Sequence, residues 1–304
     1  MLTYSEEVSD LVLGTLWSQW AELGLSGWER HHKDVALDLE ALIITTARVG
    51  HRDTRLRSEA LDWSVANGRI ASAVRLKHFT GQADVVTKDA VREFVATVNA
   101  NSGLRWPGSG SPVTFRPTGR SAAPSLERPA LIQLRLRAIW GVSARAEVLR
   151  VMLADGDRFM GISEVAAAVA FGKDAVAEAL DSLHRGGVLE EAGARNQRLF
   201  RLGRRRDLVR LVGSEPDWKR SWAWPIVLPI MAGILEATDL AEATPMARAA
   251  NLQGRWREWQ PQLARLGLVA GAVGTGVDFL PDYEKFTRGA LRRWSGVEQP
   301  PARG

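Results

Sequence analysis

Apolar residues in the first hundred positions recur at three- and four-residue intervals, which is the period of an amphipathic α-helix. Asp53 precedes one such stripe in the manner of an N-cap, and Thr87 precedes another. No stretch of useful length alternates apolar and polar residues as a strand would. We therefore predict an all-α N-terminal domain over residues 1–100, with helices at Leu11–Leu23, Val35–Val49, Asp53–Gly68, Ile70–Phe79 and Thr87–Val98.

Residues 101–129 interrupt this pattern. The stretch contains five prolines and is rich in Gly and Ser, with little periodic apolar content. Such a segment buries too little apolar surface to offset the entropy lost on ordering. We predict a linker, or an irregular loop that lies over the surface, and a domain boundary near residue 130.

Helical periodicity returns over residues 130–213. After an arginine-rich helix at Leu131–Trp140, the pattern predicts further helices and then two strands joined by a turn at Gly193–Asn196. Gly186 and Gly187 stop the helix that precedes the first strand. The predicted elements are helices at Ala144–Leu153, Ile162–Val169 and Lys173–Arg185, and strands at Val188–Leu189 and Leu199–Leu202.

This order of helices followed by a two-stranded β-wing resembles the winged helix-turn-helix superfamily, which includes many bacterial transcription regulators. The resemblance lies in the segment Ile162–Ala166, the break at Phe171-Gly172, and an apolar stripe that continues into the first strand, namely Val176, Leu180, Leu183, Gly186, Val188 and Leu189. It implies a mainly α protein with a helical N-terminal domain, a central winged helix-turn-helix and a helical C-terminal domain. It also implies a sequence-specific regulator, in particular a repressor, that binds double-stranded DNA as a homodimer.

The remaining residues, 214–304, again show helical spacing and are rich in tryptophan. Large aromatic side chains usually belong to a hydrophobic core, and that interpretation applies here. An alternative is that part of this domain forms a dimer face or lines a ligand pocket. The candidate residues for that face or pocket are Trp218, Trp222, Trp224 and Met231.

Composition limits the classes of protein that are possible. The chain has no cysteine, which excludes disulfide scaffolds, thiol nucleophiles and thiolate metal sites. The N-terminus lacks the basic and apolar regions of a signal peptide. The longest uncharged apolar stretch, residues 221–235, contains two prolines and falls short of the roughly 20 residues that a spanning helix needs. We expect a cytoplasmic protein without a membrane segment.

The net charge is +5 and the sequence pI is near 9.9, so the positions of the basic residues matter more than their excess. Six arginines lie within residues 195–206, on and after the predicted wing. A wing beside the groove places basic side chains near phosphates, and the first residues of a recognition helix face base edges. An ordinary solvated arginine face is the simpler alternative.

On the DNA-binding interpretation, Lys173, Asp174 and Ala177 occupy the recognition-helix face. Two acidic groups, Asp174 and Glu178, stand there, and a carboxylate is repelled by phosphate but accepts from the amino group of cytosine. The wing and the residues after it supply Arg195, Asn196, Arg198, Arg201, Arg204, Arg205 and Arg206, while Arg135, Arg137, Arg145 and Arg150 add charge on the preceding helices. Replacing Arg198 and Arg201 together by alanine should then weaken binding to all sequences and flatten its salt dependence.

The chain shows no combination of residues typical of an enzyme. His31 and His32 are adjacent and so do not face each other on a helix, which argues against a metal site. Asp38 and Glu40 stand two positions apart, so they make a poor acid and base pair on a helix. No serine lies in a G-x-S-x-G elbow. We expect no catalytic activity, no metal and no cofactor.

Two other functions fit the same organisation. One is an antitoxin-like or scaffold protein whose helical domains bind a protein partner. The winged helix would then regulate expression of its own gene. The other is a ligand-sensing repressor whose tryptophan-rich C-terminal part is the sensor, in which a metabolite would quench the fluorescence of Trp222 or Trp224.

Overall fold

The structure of the chain, a computed structural model, describes residues 2–296 except 27, 30, 34, 156–157, 195–196, 214–223 and 269–273. The described residues are mainly helical, with thirteen α-helices and one small antiparallel sheet. None of the described helices combines the length and the apolar run that crossing a membrane requires.

The N-terminal helices begin at side chains that accept from their first free backbone N–H groups. Asp53 accepts from the backbone nitrogen of Leu56 at 2.9 Å, as the sequence predicts. Thr87 is not the cap of the fifth helix, because its own backbone nitrogen donates to Asp84 at 2.7 Å, and Asp84 is the cap. The helices are α1 (Tyr4–Glu22), α2 (Leu39–Val49), α3 (Thr54–Asn67), α4 (Ala73–Gln82) and α5 (Val85–Ala100).

Residues 101–128 form no helix or strand, but they pack against the N-terminal helices. The indole of Trp106 is buried and donates to the carbonyl of Gly68 at 3.3 Å. Asp62 on α3 accepts from the backbone of Gly119 at 3.3 Å and from the hydroxyl of Ser121 at 2.7 Å. Of the two expectations for this segment, the irregular surface loop describes it better than a free linker.

A central unit follows, built from five helices and three strands. The sequence predicted two strands, but β1 (Met160–Gly161) adds a third, pairing with β3 so that Met160 lies opposite Phe200. The sheet order is β1-β3-β2, with all neighbours antiparallel. The other elements are α6 (Ile132–Trp140), α7 (Ala144–Asp155), α8 (Ile162–Val169), α9 (Lys173–Arg185), β2 (Leu189–Ala194), β3 (Gln197–Leu202) and α10 (Arg205–Val212).

The C-terminal helices are α11 (Trp224–Ala237), α12 (Pro245–Arg265) and α13 (Phe279–Trp294). Their buried residues join those of α1–α5, together with Leu134 of α6, in one hydrophobic core, whereas the other buried apolar residues of the central unit form a second core. The described residues therefore form two cores rather than one for each of three successive domains. The segments 1–100 and 214–304, which the sequence treats as separate domains, contribute to the same core through their described residues.

Candidate nucleic-acid interface

The N-terminal part of α9 is exposed, as a recognition helix requires. Lys173, Asp174 and Glu178 are exposed and Ala177 is half-buried. On the opposite side of the helix, Val176, Leu180 and Leu183 of the predicted apolar stripe are buried in the core of the central unit. This face offers an ammonium and two carboxylates at a helix N-terminus, where the backbone dipole adds partial positive charge.

Arg198, on the wing strand β3, is held by carboxylates of its own unit. Its guanidinium donates to Glu191 at 2.7 Å and to Asp181 at 2.5 Å, and it lies over the ring of Phe200 at 5.1 Å. The hydrogen bond from Arg198 lowers the pKa of Glu191. Arg198 therefore ties the wing to α9.

Arg201 lies on the other face of the sheet, because side chains three positions apart on a strand point to opposite sides. It pairs across the strands with Glu190 at 2.6 Å and lies over the ring of Phe159 at 4.8 Å. The two arginines of β3 thus lie on opposite faces of the sheet. Arg198 pairs with two carboxylates and Arg201 with one.

The arginines after β3 lie at the base of the strand pair. The backbone of Gly203 donates to Val188 at 3.0 Å, which marks the end of the strand pair opposite the Ala194–Gln197 pairing. Arg205 donates to the carbonyl of Leu153 on α7, while Arg204 and Arg206 are exposed. Arg195 and Asn196 lie outside the described residues.

The sequence suggested that the arginines of α6 and α7 add to a basic surface. In the structure they do not form one. Arg137 and Arg150 are buried, and Arg145 is exposed. Arg135 donates to the carbonyl of Leu126 at 2.5 Å and to that of Arg128 at 3.2 Å. Burial lowers the pKa of Arg135. The guanidinium of Arg135 therefore donates to carbonyl groups of the chain itself.

Arg137 and Arg150 belong to a buried charge cluster that lies between the N-terminal helices and the central unit. It contains three arginines and three carboxylates, so its formal charge is zero. Each carboxylate accepts from more than one donor. The members are Asp38 and Glu40 around the start of α2, Arg75 on α4, Arg137 on α6, and Glu147 and Arg150 on α7.

Within the charge cluster, Arg137 donates to Glu40 at 2.7 and 2.8 Å and to Glu147 at 2.6 and 2.9 Å. Burial alone would raise the pKa of Glu147, but Arg137, Arg75 and Arg150 overcome this effect and hold the pKa well below its usual range. The same balance, with Arg137 and Arg75 opposing burial, lowers the pKa of Glu40. Both carboxylates are therefore ionised in the folded protein.

Arg75 connects the charge cluster to the helix before the candidate recognition helix. Its Nη1 donates to the carbonyl of Val169 at 2.7 Å, at the last residue of α8. The next residue, Ala170, is in the left-handed region at φ 58°, and it begins the turn into α9. The hydrogen bond from Arg75 on α4 therefore positions this turn.

Trp224 and Met231 are both buried in the shared core, and Trp224 meets the ring of His32 edge-on at 5.3 Å. Their burial agrees with the core interpretation of the tryptophan-rich segment. Trp218 and Trp222 lie outside the described residues.

Sequence reasoning missed the charge cluster, although one signal was present. Asp38 and Glu40 flank Leu39 in a stretch that is otherwise almost entirely apolar and buried. Charged residues in such a setting require partners of opposite charge. Asp38 and Glu40, dismissed as an acid and base pair, in fact converge on Arg75.

The chain matches no protein-family profile, no curated protein sequence and no solved structure.

Proposed function

We propose that the chain is a DNA-binding transcription regulator whose central unit is a winged helix-turn-helix. The observation that carries this proposal is the topology of the central unit. The chain order α7, β1, α8, α9, β2, β3 and the sheet order β1-β3-β2 place an exposed helix beside a two-stranded ribbon. This combination offers one helix to a groove and a ribbon to the backbone beside it.

In this proposal the start of α9 enters the major groove. The helix has 13 residues and so extends for about 20 Å at 1.5 Å per residue. Lys173 donates to purine acceptors or to phosphate, and the small side chain of Ala177 permits close approach. Asp174 and Glu178 accept from cytosine amino groups, which gives the face a chemical basis for sequence preference.

The positions of the described arginines also limit which of them can contact DNA in this proposal. Arg198 lies on the α9 side of the sheet and, being exposed, can exchange a carboxylate for a phosphate at little cost, since exposed ion pairs contribute about 0–1 kcal/mol. Arg204 and Arg206 lie at the far end of the strand pair, so this proposal does not depend on contacts between them and the DNA backbone.

A matched pair of variants tests the assignment of α9. Lys173→Ala removes a cation from the proposed DNA face, whereas Arg210→Ala removes an exposed cation from α10. We expect the first variant to weaken binding to DNA from its own promoter region by about tenfold and the second to leave it unchanged. Equal effects of the two variants would contradict the assignment.

A protein-partner function, of the kind that antitoxins have, is the second candidate, and one observation favours it. The ionisable residues of α9 and of the described parts of β2 and β3 comprise five carboxylates against four Lys and Arg residues. DNA-binding surfaces usually carry an excess of positive charge. Co-purification of the chain with the product of a neighbouring gene, together with no DNA binding, would support this second function.

A further inference from the structure

A cavity of about 700 Å³ lies between α2, the turn from α4 to α5, α11 and α12, away from the proposed DNA face. Small-molecule sites commonly have volumes of roughly 300–1,000 Å³. Two helices present one face each to this cavity at the spacing i, i+3, i+4, i+7. These faces are Ala41, Ile44, Thr45 and Arg48 on α2, and Arg255, Glu258, Trp259 and Gln262 on α12.

The positive charges of the cavity are already compensated within the chain. Arg48 donates to both carboxylate oxygens of Glu236, at 2.5 and 2.6 Å, and lies 3.2 Å from the carboxylate of Asp84. Arg255 donates to the carbonyl of Gly233 at 3.2 Å and lies 3.7 Å from Glu236. These guanidinium groups have few donors to offer to an anionic ligand.

Acceptors, in contrast, remain available. Three carboxylates line the cavity against two arginines, which leaves the lining with a formal negative charge. The carboxylate of Asp84 caps α5 and pairs with Arg48, but it is half-exposed and each of its oxygens has a second lone pair. Glu258 is exposed and has no ion pair among the described residues. The carbonyl of Pro225 also lacks a helical donor, because the residue four positions on is Pro229, which has no N–H.

The rest of the lining suits an apolar body. Trp259 packs closely against Gly233. A Cβ atom on Gly233 would lie 2.7 Å from the ring of Trp259. Ile44, Ile230 and Phe79 complete an apolar wall. Aromatic faces of this kind attract cations as well as apolar groups.

We propose that this cavity binds an organic cation, namely an amine with an aromatic or aliphatic body. The ammonium group lies toward Asp84 and Glu258, and the body packs against Trp259 and Phe79. This binding site does not depend on the proposed DNA-binding function, because it lies on other helices and is tested without DNA.

Two probes with the same aromatic body and opposite charge test the proposal, namely naphthylethylamine and naphthylacetate. Isothermal titration calorimetry on the full chain should show binding of the amine at least about tenfold tighter than binding of the carboxylate. Equal affinities, or no binding of the amine, would overturn the proposal.

Two variants locate the site. Glu258→Gln removes an exposed carboxylate and should weaken amine binding by about tenfold, whereas Asp10→Asn, an exposed carboxylate on α1, serves as the matched control and should have no effect. Ala83→Trp places a large ring at the cavity wall and should abolish amine binding. Amine binding that survives both Glu258→Gln and Ala83→Trp unchanged would show that the amine binds elsewhere, and would contradict the proposal.

Discussion

Arg75 and Val169 are joined by a hydrogen bond across 94 residues of the chain, from a buried guanidinium on α4 to the last carbonyl of α8. The same guanidinium binds Asp38 and Glu40 at the start of α2. The central unit is therefore attached to the helical body through charged groups that are excluded from water. A charge in this position is stable only while its partners are present.

Removing one carboxylate of the charge cluster should destabilise the protein strongly. In Glu147→Gln, Arg137 and Arg150 lose a buried counter-charge, and breaking a buried pair in this way costs about 3–5 kcal/mol. Urea unfolding of this variant and of the exposed control Glu127→Gln measures the difference. We expect the control to change the free energy of unfolding by less than about 0.5 kcal/mol. A similar, small effect for both variants would show that the charge cluster adds little to stability.

The charge cluster also predicts how stability depends on pH. The pKa values of Glu40 and Glu147 are lower in the folded protein than the roughly 4.3 of an unfolded glutamate. The unfolded chain therefore binds more protons in acid, and the free energy of unfolding should fall once the pH drops below about 4.5, by up to about 1.4 kcal/mol per pH unit for each carboxylate. In Glu147→Gln the fall should be shallower. An unfolding free energy that is flat between about pH 5 and pH 3 would be inconsistent with these pKa shifts.

Much of the fold follows from local signals in the sequence. The predicted bounds of α9, Lys173–Arg185, agree with the structure because Gly172 and the Gly186-Gly187 pair delimit the helix on both sides. The strand β1 was missed because two residues are too few to show an alternating pattern. The exposed wing residue Arg198 could be recognised as part of the candidate site, but its carboxylate partners on α9 and β2 could not be read from the sequence.

Long-range pairing accounts for the other differences. Nothing in the local pattern of α11–α13 indicates that these helices pack with α1–α5 in one core. Arg137 looked like a surface residue because it alternates with apolar neighbours in an arginine-rich helix. Its burial depends on Glu40, 97 positions earlier in the chain. Such partners become visible only once the chain is folded.

The two wing-strand arginines should differ in their effect on DNA binding. Arg198 faces α9, whereas Arg201 lies on the opposite face of the sheet. We expect Arg198→Ala to weaken binding to promoter and unrelated DNA alike and to reduce the log–log salt slope by about one, with Arg201→Ala close to the original protein. Electrophoretic mobility shifts at several salt concentrations compare the two. Equal slopes for the two variants would argue against contact between this face and DNA.

The cavity and the proposed DNA face are connected through two stacked side chains. Phe79 lines the cavity and lies 4.9 Å from the guanidinium of Arg75, which holds the end of α8. We expect a saturating concentration of naphthylethylamine to change the dissociation constant for promoter DNA by about fivefold, in the range typical of coupled sites. Phe79→Leu also removes an aromatic contact with the amine, so it is compared at an amine concentration that saturates the variant, where it should reduce that change. A change of the same size in both proteins would show that the coupling does not pass through this ring.

The most direct test of DNA binding is a titration of the purified protein with its own promoter region and with an unrelated duplex, repeated over a series of salt concentrations. We predict a specific complex whose affinity falls with salt along a log–log slope of roughly −0.9 for each phosphate neutralised. Binding to the promoter that is no tighter than binding to the unrelated duplex, at every salt concentration, would contradict the proposed function and favour a protein partner.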